Sequence, residues 1–368
     1  TLSADIKINW SKSVNEGLSG FTDYLRMVEA NNLIYMVDSS GLLSAVTKDG
    51  DILWNVPTNT EISSGLSVVN NMLCVGSSSA KLLCYDINNL SLNKHTAIIS
   101  SINNAITFEQ YPSDIEIDLI TELSSPIINR NNLLVLKLDN DDIFMVDSIS
   151  RDTVWESRGQ NIPLKTKGSS MPVLTDDKII VARDNGSVSS YSAIDGTLDW
   201  FTIISSRSGR NELESQRDAE MEILIDSDRV IYGHYQGSIT SIDIKNGETI
   251  WSSPFSFSND LVINNNSIYG STSDNHLISL DRASGFVNWK HKIKDEHKLT
   301  QPVIIDDILV VFSTNGYIML FDKTLGQIIS LDDIGYELHH QTNIIVDKNN
   351  IYLQTLNGKL INIKINRL

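Results

Sequence analysis

Residues 243–251 read Asp243-Ile-Lys-Asn-Gly247-Glu-Thr-Ile-Trp251, and residues 281–289 read Asp281-Arg-Ala-Ser-Gly285-Phe-Val-Asn-Trp289. The aspartate, glycine and tryptophan keep their spacing while everything between them changes. No acid–base pair, metal spacing or phosphate loop travels with them, so the repetition reads as structural. A second glycine lies fourteen residues before the tryptophan in two copies, Gly237 before Trp251 and Gly186 before Trp200. Asn275 holds that place before Trp289 and Asp141 before Trp155, while Gly41 precedes Trp54 by thirteen. Downstream the pattern runs through Gly316, Asp322 and Gly326, with Ser330 in place of tryptophan, and then Gly358. The most degraded copy keeps only Ala80, Asp86 and Leu90. From Gly186 the steps are 51, 38, 41 and 42 residues, the period of propellers and solenoids.

Each unit reads as four short strands. In the clearest copy, residues 220–226, 228–235, 238–244 and 249–253 are β-branched runs separated by turn residues, with no sustained helical period. Gln236-Gly237 is read as a two-residue hairpin turn in which glycine supplies a positive φ. Asp243 closes a strand, where its carboxylate can accept turn amides. A tryptophan buries roughly 200 Å², enough to seal one unit against the next. The last unit, residues 340–368, supplies three strands and stops, while residues 5–15 around Trp10 form a strand of the missing kind. Pairing these closes a ring and leaves no free edge. Counting positions 41, 80, 141, 186, 237, 275, 316 and 358 gives eight units. The expectation is an all-β, eight-bladed β-propeller of four antiparallel strands per blade, one domain over residues 1–368.

The composition sets limits on partners. Of 368 residues, 41% are apolar and 20% charged, with a net charge of −17, so the chain can bury a large core and repels phosphate backbones and anionic lipid. Nucleic acid is excluded as a partner on that ground, and no apolar run reaches the ~18 residues of a membrane-spanning helix. No targeting signal is visible from Thr1 onward, as would also hold for a mature form. Two cysteines, Cys74 and Cys84, exclude a disulfide-rich scaffold and a cysteine zinc site. Placing the blade 2 turn at Ser79-Ala80 pairs Cys74 with Tyr85 and Val75 with Cys84. The two sulfurs then leave opposite faces of the sheet, and two free, buried thiols are expected.

Other candidate ligands have plainer readings. Asp139 to Asp142 resembles a calcium loop, but Asp141 falls at a hairpin-glycine position and the segment reads as a polar turn. His339 and His340 would point to opposite faces of an extended chain, and His291 and His297 have no third ligand in view. No metal, cofactor or catalytic residue is therefore assigned.

The Asp-x3-Gly-x3-Trp tail on a four-stranded blade resembles the repeat of quinoprotein-like propellers. Within that group the order of features is similar to the BamB family, lipoproteins of the outer-membrane β-barrel assembly machinery. Three stretches carry the likeness: "INWSKSV" leading to "NNLIYMVDSSGLLSAV", "GSSMPVLTDDKIIVARDNGSVSSYSAIDGTLDW", and "SRSGRNELESQRDAE" leading to "GSITSIDIKNGETIW". The segment from about Leu90 to Thr121 departs from the pattern, being long and lacking the glycine and tryptophan.

The resemblance implies a non-catalytic scaffold at the periplasmic face of the outer membrane, held by a lipid anchor that lies outside this sequence. It implies a BamA-like barrel protein as partner, gripped through its periplasmic domains, and unfolded outer-membrane proteins as substrates of the assembly. By the same resemblance the partner-binding residues are Leu164, Thr166 and Lys167 before Gly168-Ser-Ser-Met-Pro172, and Asp218 and Glu220 in the next blade. Thr166, Lys167 and Glu220 stand where the family carries leucine, arginine and aspartate. Two alternatives are an unrelated propeller adaptor and a quinone-dependent dehydrogenase. The dehydrogenases are longer and set an adjacent cysteine pair over the cofactor, whereas Cys74 and Cys84 are ten residues apart.

Overall fold

The computed structural model describes residues 3–17, 25–92, 100–102, 105–107, 112–159, 170–204, 221–233, 237–294 and 297–367. Among these residues lie eight four-stranded antiparallel sheets, hereafter blades 1 to 8. Seven are consecutive in the chain: 28–57, 62–118, 128–157, 173–203, 224–253, 262–292 and 303–333. Blade 8 joins Ile344–Asp347, Asn350–Gln354 and Lys359–Arg367 to Ala4–Ser13 as its outermost strand. Ala4 faces Arg367 and Trp10 faces Asn362, so the N-terminal strand closes the ring as the sequence indicated.

The core is a circle of inter-blade contacts. Leu43 and Trp54 of blade 1 pack with Leu73 and Tyr85 of blade 2, and Leu82 with Leu136 joins blades 2 and 3. Similar clusters link blades 3 and 4, 4 to 6, 6 and 7, and 7 and 8. The circle is completed by Met36 and Val46 of blade 1 against Tyr352 and Leu360 of blade 8. Each blade shows one face to each neighbour, so its middle strands carry buried side chains on both faces. Along Leu33–Val37 four of the five residues are buried.

The repeated residues lock one blade to the next. An added Cβ on Gly247 would lie 2.7 Å from Cδ2 of Trp200, and one on Gly50 2.8 Å from Cδ2 of Trp10. Gly196, Gly285 and Gly326 meet the indoles of Trp155, Trp251 and Trp289 in the same way. Each of these five tryptophans therefore lies against the turn glycine of the following blade, where a side chain would collide with it. The indole Nε1 of Trp10, Trp200, Trp251 and Trp289 donates to the carbonyls of Lys48, Ile244, Arg282 and Lys323, at 3.0 to 3.2 Å. Trp10 does so across the junction of the two termini, and the lock thus continues through the closure. Asp243 accepts the amides of Lys245 and Asn246, and Asp281 those of Ala283 and Ser284, the turn role expected of that position.

The hairpin between the second and third strands differs from the expectation. Seven of the eight counted positions, Gly41, Ala80, Asp141, Gly186, Asn275, Gly316 and Gly358, have φ between +58 and +92. The eighth, Gly237, follows residues 234–236, which lie outside the described set. The turns hold three residues, not two. Ser77 pairs with Lys81 around Ala80, and Gly186 donates to Arg183 while Arg183 donates to Ser187. This is a turn ending in a left-handed residue, one of the common three-residue hairpins.

That extra residue overturns the expected cysteine register. Cys74 faces Cys84 directly, both side chains leave the same face, and the two are joined in a disulfide. Neither thiol is free. His339 and His340 are also corrected: they lie outside any strand with ring centroids 4.5 Å apart, so the opposite-face argument does not apply. Asp139–Asp142 does form a hairpin turn, closed by Asp141 N–H on the Leu138 carbonyl at 2.9 Å.

Blade 2 resumes its pattern after an insertion. A helix, Ile87–Leu92, stands where the turn glycine would be, with Leu90 fully buried. A small hairpin of Ser100–Ile102 and Ala105–Thr107 follows. The outermost strand, Ile115–Asp118, then returns to pair Ile115 with Cys84.

Candidate functional site

Leu164, Thr166, Lys167, Asp218 and Glu220 all lie outside the described residues. What the structure describes is where their segments attach. Residues 160–169 join the outermost strand of blade 3, Thr153–Ser157, to the innermost strand of blade 4, Val173–Leu174. Residues 205–220 join Leu198–Ile203 of blade 4 to Leu224–Asp226 of blade 5. Both connections enter innermost strands of adjacent blades from the same end of the ring.

At that end an ionic cluster spans the central channel. Glu222, just before the innermost strand of blade 5, accepts the Met171 amide of blade 4 at 3.1 Å. Its own amide donates to Asp260 Oδ1 of blade 6 at 2.7 Å. Arg26, at the entry to blade 1, reaches Glu222 Oε1 at 2.7 Å and Asp260 Oδ2 at 3.5 Å. Blades 1 and 5 are opposite each other in an eight-bladed ring, so this side chain crosses the channel. Burial pushes the Glu222 carboxyl up to about 7, with Arg26 opposing the rise and Asp260 reinforcing it. Sequence reasoning missed all three residues. Glu222 stood two positions beyond a proposed partner-binding residue, but nothing in the sequence paired it with Arg26.

Beside the cluster runs a cavity of ≈ 610 Å³ along the innermost strands of blades 8, 1, 2, 3 and 4. Its wall includes Met27, Leu66, Ile127, Met171 and Pro172. A second buried network joins blades 3 and 4. Lys137, fully buried, lies 3.6 Å from Asp141 and 3.7 Å from Asp184 and donates to the Ala182 carbonyl at 2.6 Å. Arg183 lies 3.6 Å from Asp141 and donates to the Tyr191 hydroxyl. Close by, the Gly159 amide, Arg158 and Asn140 hold the Asp142 carboxyl below its usual range, against the opposing effect of burial. These groups are committed to one another and tie neighbouring blades together. Among the described residues no group of three or more histidine, cysteine or carboxylate side chains is placed to hold a metal.

The ring, the tryptophan-on-glycine lock and a channel crossed by side chains define a propeller of the quinoprotein-like kind. A family model described as outer membrane protein assembly factor BamB matches residues 39–291, and the chain belongs to that family. The Escherichia coli outer membrane protein assembly factor BamB is 22% identical over 369 aligned positions, covering 96% of this chain and 88% of that protein. The Yersinia pestis protein of the same name is 23% identical, covering 89% and 82%. Among solved structures, BamB from Moraxella catarrhalis superposes with a TM-score of 0.80 at 19% identity, over 98% of this chain and all of that one. A quinohemoprotein alcohol dehydrogenase from Comamonas testosteroni shares the fold with a TM-score of 0.72 at 9% identity, matched over 76% of its length.

Proposed function

We propose that this protein is a non-catalytic scaffold in the assembly of outer-membrane β-barrel proteins. It docks on the periplasmic domains of a BamA-like barrel protein at the periplasmic face of the outer membrane, tethered by a lipid anchor and aiding insertion of unfolded substrates. The observation that carries this reading is the family match over residues 39–291. The contact surface is built from Leu164, Thr166 and Lys167 together with Asp218 and Glu220. Its support is connectivity, since both segments lead into innermost strands of adjacent blades at one end of the ring. Loops on a rigid scaffold are where such function concentrates. The Cys74–Cys84 disulfide suits an oxidising compartment such as the periplasm.

The dehydrogenase alternative is supported by fold likeness alone. A quinone at the ring centre would compete for space with Arg26, whose guanidinium is engaged by Glu222 and Asp260. Both cysteines are bonded to each other within blade 2, away from the channel. A binding titration against the periplasmic domains of the cognate barrel protein tests the proposal. Leu164→Ala, or Asp218→Arg, weakens binding by roughly 1–3 kcal/mol while stability stays within ~0.5 kcal/mol. The charge reversal shows the steeper salt dependence, because rim electrostatics are screened. Unchanged affinity in both variants, with folding intact, sinks the proposed surface.

A further inference from the structure

The innermost strands that receive the two proposed docking segments are weakly held by their own ladders. Val173–Leu174 has two paired residues and Leu224–Asp226 three. Short ladders of this kind open locally at little cost. Their entry points are instead tied to the channel cluster, through Met171 N–H on Glu222 and Glu222 N–H on Asp260. Arg26 binds both carboxylates from across the channel. One guanidinium on blade 1 therefore holds the entries of blades 4, 5 and 6 in a fixed relation, and its planar fork suits two carboxylate acceptors.

We infer that Arg26 and Glu222 are positioning residues for the partner-docking face, clasping the entry points of its two segments across the channel. The inference rests on the docking surface proposed above. The charged groups facing Glu222 are Arg26 of blade 1, Asp260 of blade 6 and Lys137 of blade 3, the last lying close to Asp141 and Asp184. As pH falls through about 7, Glu222 takes a proton. Its carboxyl becomes a weaker acceptor and Arg26 loses half its counter-charge. Docking is therefore strongest above that pH. Folding stability responds in the opposite sense. A carboxyl raised from the ordinary 4.5 to about 7 binds its proton more tightly in the folded chain. Its stabilising contribution is complete below 4.5 and is lost as pH rises through 7. A merely structural role would make binding and stability move together; the clasp separates them.

The test uses the full chain, with amide hydrogen exchange and binding to the periplasmic domains of the cognate barrel protein as readouts. Arg26→Ala should speed exchange at the Met171 and Glu222 amides by about tenfold or more while leaving blade 7 unchanged. It should weaken binding by about three- to tenfold, with partial recovery in Arg26→Lys, which can engage one carboxylate. The near-isosteric Glu222→Gln keeps the fold if the alanine variant does not. It should flatten the dependence of binding on pH between about 6 and 8, where the parent varies. Unchanged exchange at both amides in Arg26→Ala, or pH-dependent binding that survives in Glu222→Gln, overturns the clasp. Binding by the parent that neither variant alters overturns this inference and leaves the docking reading standing. Absence of binding by the parent overturns both.

Discussion

Blade 5 and blade 2 begin alike and part at the turn between their third and fourth strands. In blade 5 the turn runs from Asp243 to Gly247, Trp200 of blade 4 lies on the glycine, and Trp251 follows to cover Gly285 of blade 6. In blade 2 the helix Ile87–Leu92 replaces the turn, and the strand that follows, Ile115–Asp118, carries no tryptophan. The consequence appears one blade later. Arg151, not glycine, occupies the equivalent turn of blade 3, at φ +65. Blade 7 repeats the lesson, because its tryptophan position is Ser330 and the third strand of blade 8 runs out to Arg367 without a turn to cover. Tryptophan and glycine are thus one contact divided between neighbouring blades. Where the indole is missing, a Cβ on the next turn has nothing to strike. Blade 2, lacking the lock on its exit side, instead has its second and third strands joined by the Cys74–Cys84 disulfide.

Removing an indole sets the two kinds of junction furthest apart. Trp251→Ala should cost about 3–5 kcal/mol, as for other large-to-small aromatic truncations. Ser330→Ala, at the same position of blade 7, should stay within ~0.5 kcal/mol. Chemical denaturation measures both, and equal effects would dissolve the distinction between locked and unlocked junctions. The glycines sharpen it. Gly247→Ala places a Cβ 2.7 Å from the Trp200 ring at φ +76, and steric conflict plus the left-handed backbone should cost about 2–4 kcal/mol. Arg151→Gly should stabilise slightly, by up to about 1 kcal/mol, because it relieves the same backbone with no indole overhead. A destabilised Arg151→Gly would mean that Arg151 makes contacts the comparison ignores. The disulfide tests the remaining difference, the staple found only in blade 2 among the described residues. Reduction should lower stability by about 2–3 kcal/mol, the entropy of a short closed loop. Thiol titration of denatured, unreduced protein should find none.

Much of this was legible because the lock is written in residue types with fixed spacing. A glycine beneath an indole cannot be replaced, so Gly247, Gly285 and Gly326 mark the same turn in each blade, and Trp10 reveals the closing strand. The stand-ins Ala80, Asp141 and Asn275 could also be placed, since asparagine and aspartate tolerate the left-handed region and the periodicity fixed Ala80. Turn length was not legible. A single positive-φ residue fits a two-residue or a three-residue hairpin equally well, and one residue of difference moved Cys84 to the other face of its strand. The cluster of Arg26, Glu222 and Asp260 was hidden for another reason. Its members come from three blades, and the positions that meet are set by ring size, not by any local pattern.

The strand that completes blade 8 has a consequence for how the molecule comes into being. Ala4–Ser13 pairs with Lys359–Arg367, a contact between strands more than 340 residues apart in the sequence. Until these two strands meet, both edges stay unpaired, and each is a template for joining another chain. Contacts spanning nearly the whole sequence also form slowly. The protein is therefore most exposed to aggregation while blade 8 is open. Closure thus removes both edges in a single long-range step, and the solubility of the whole ring depends on that one pairing.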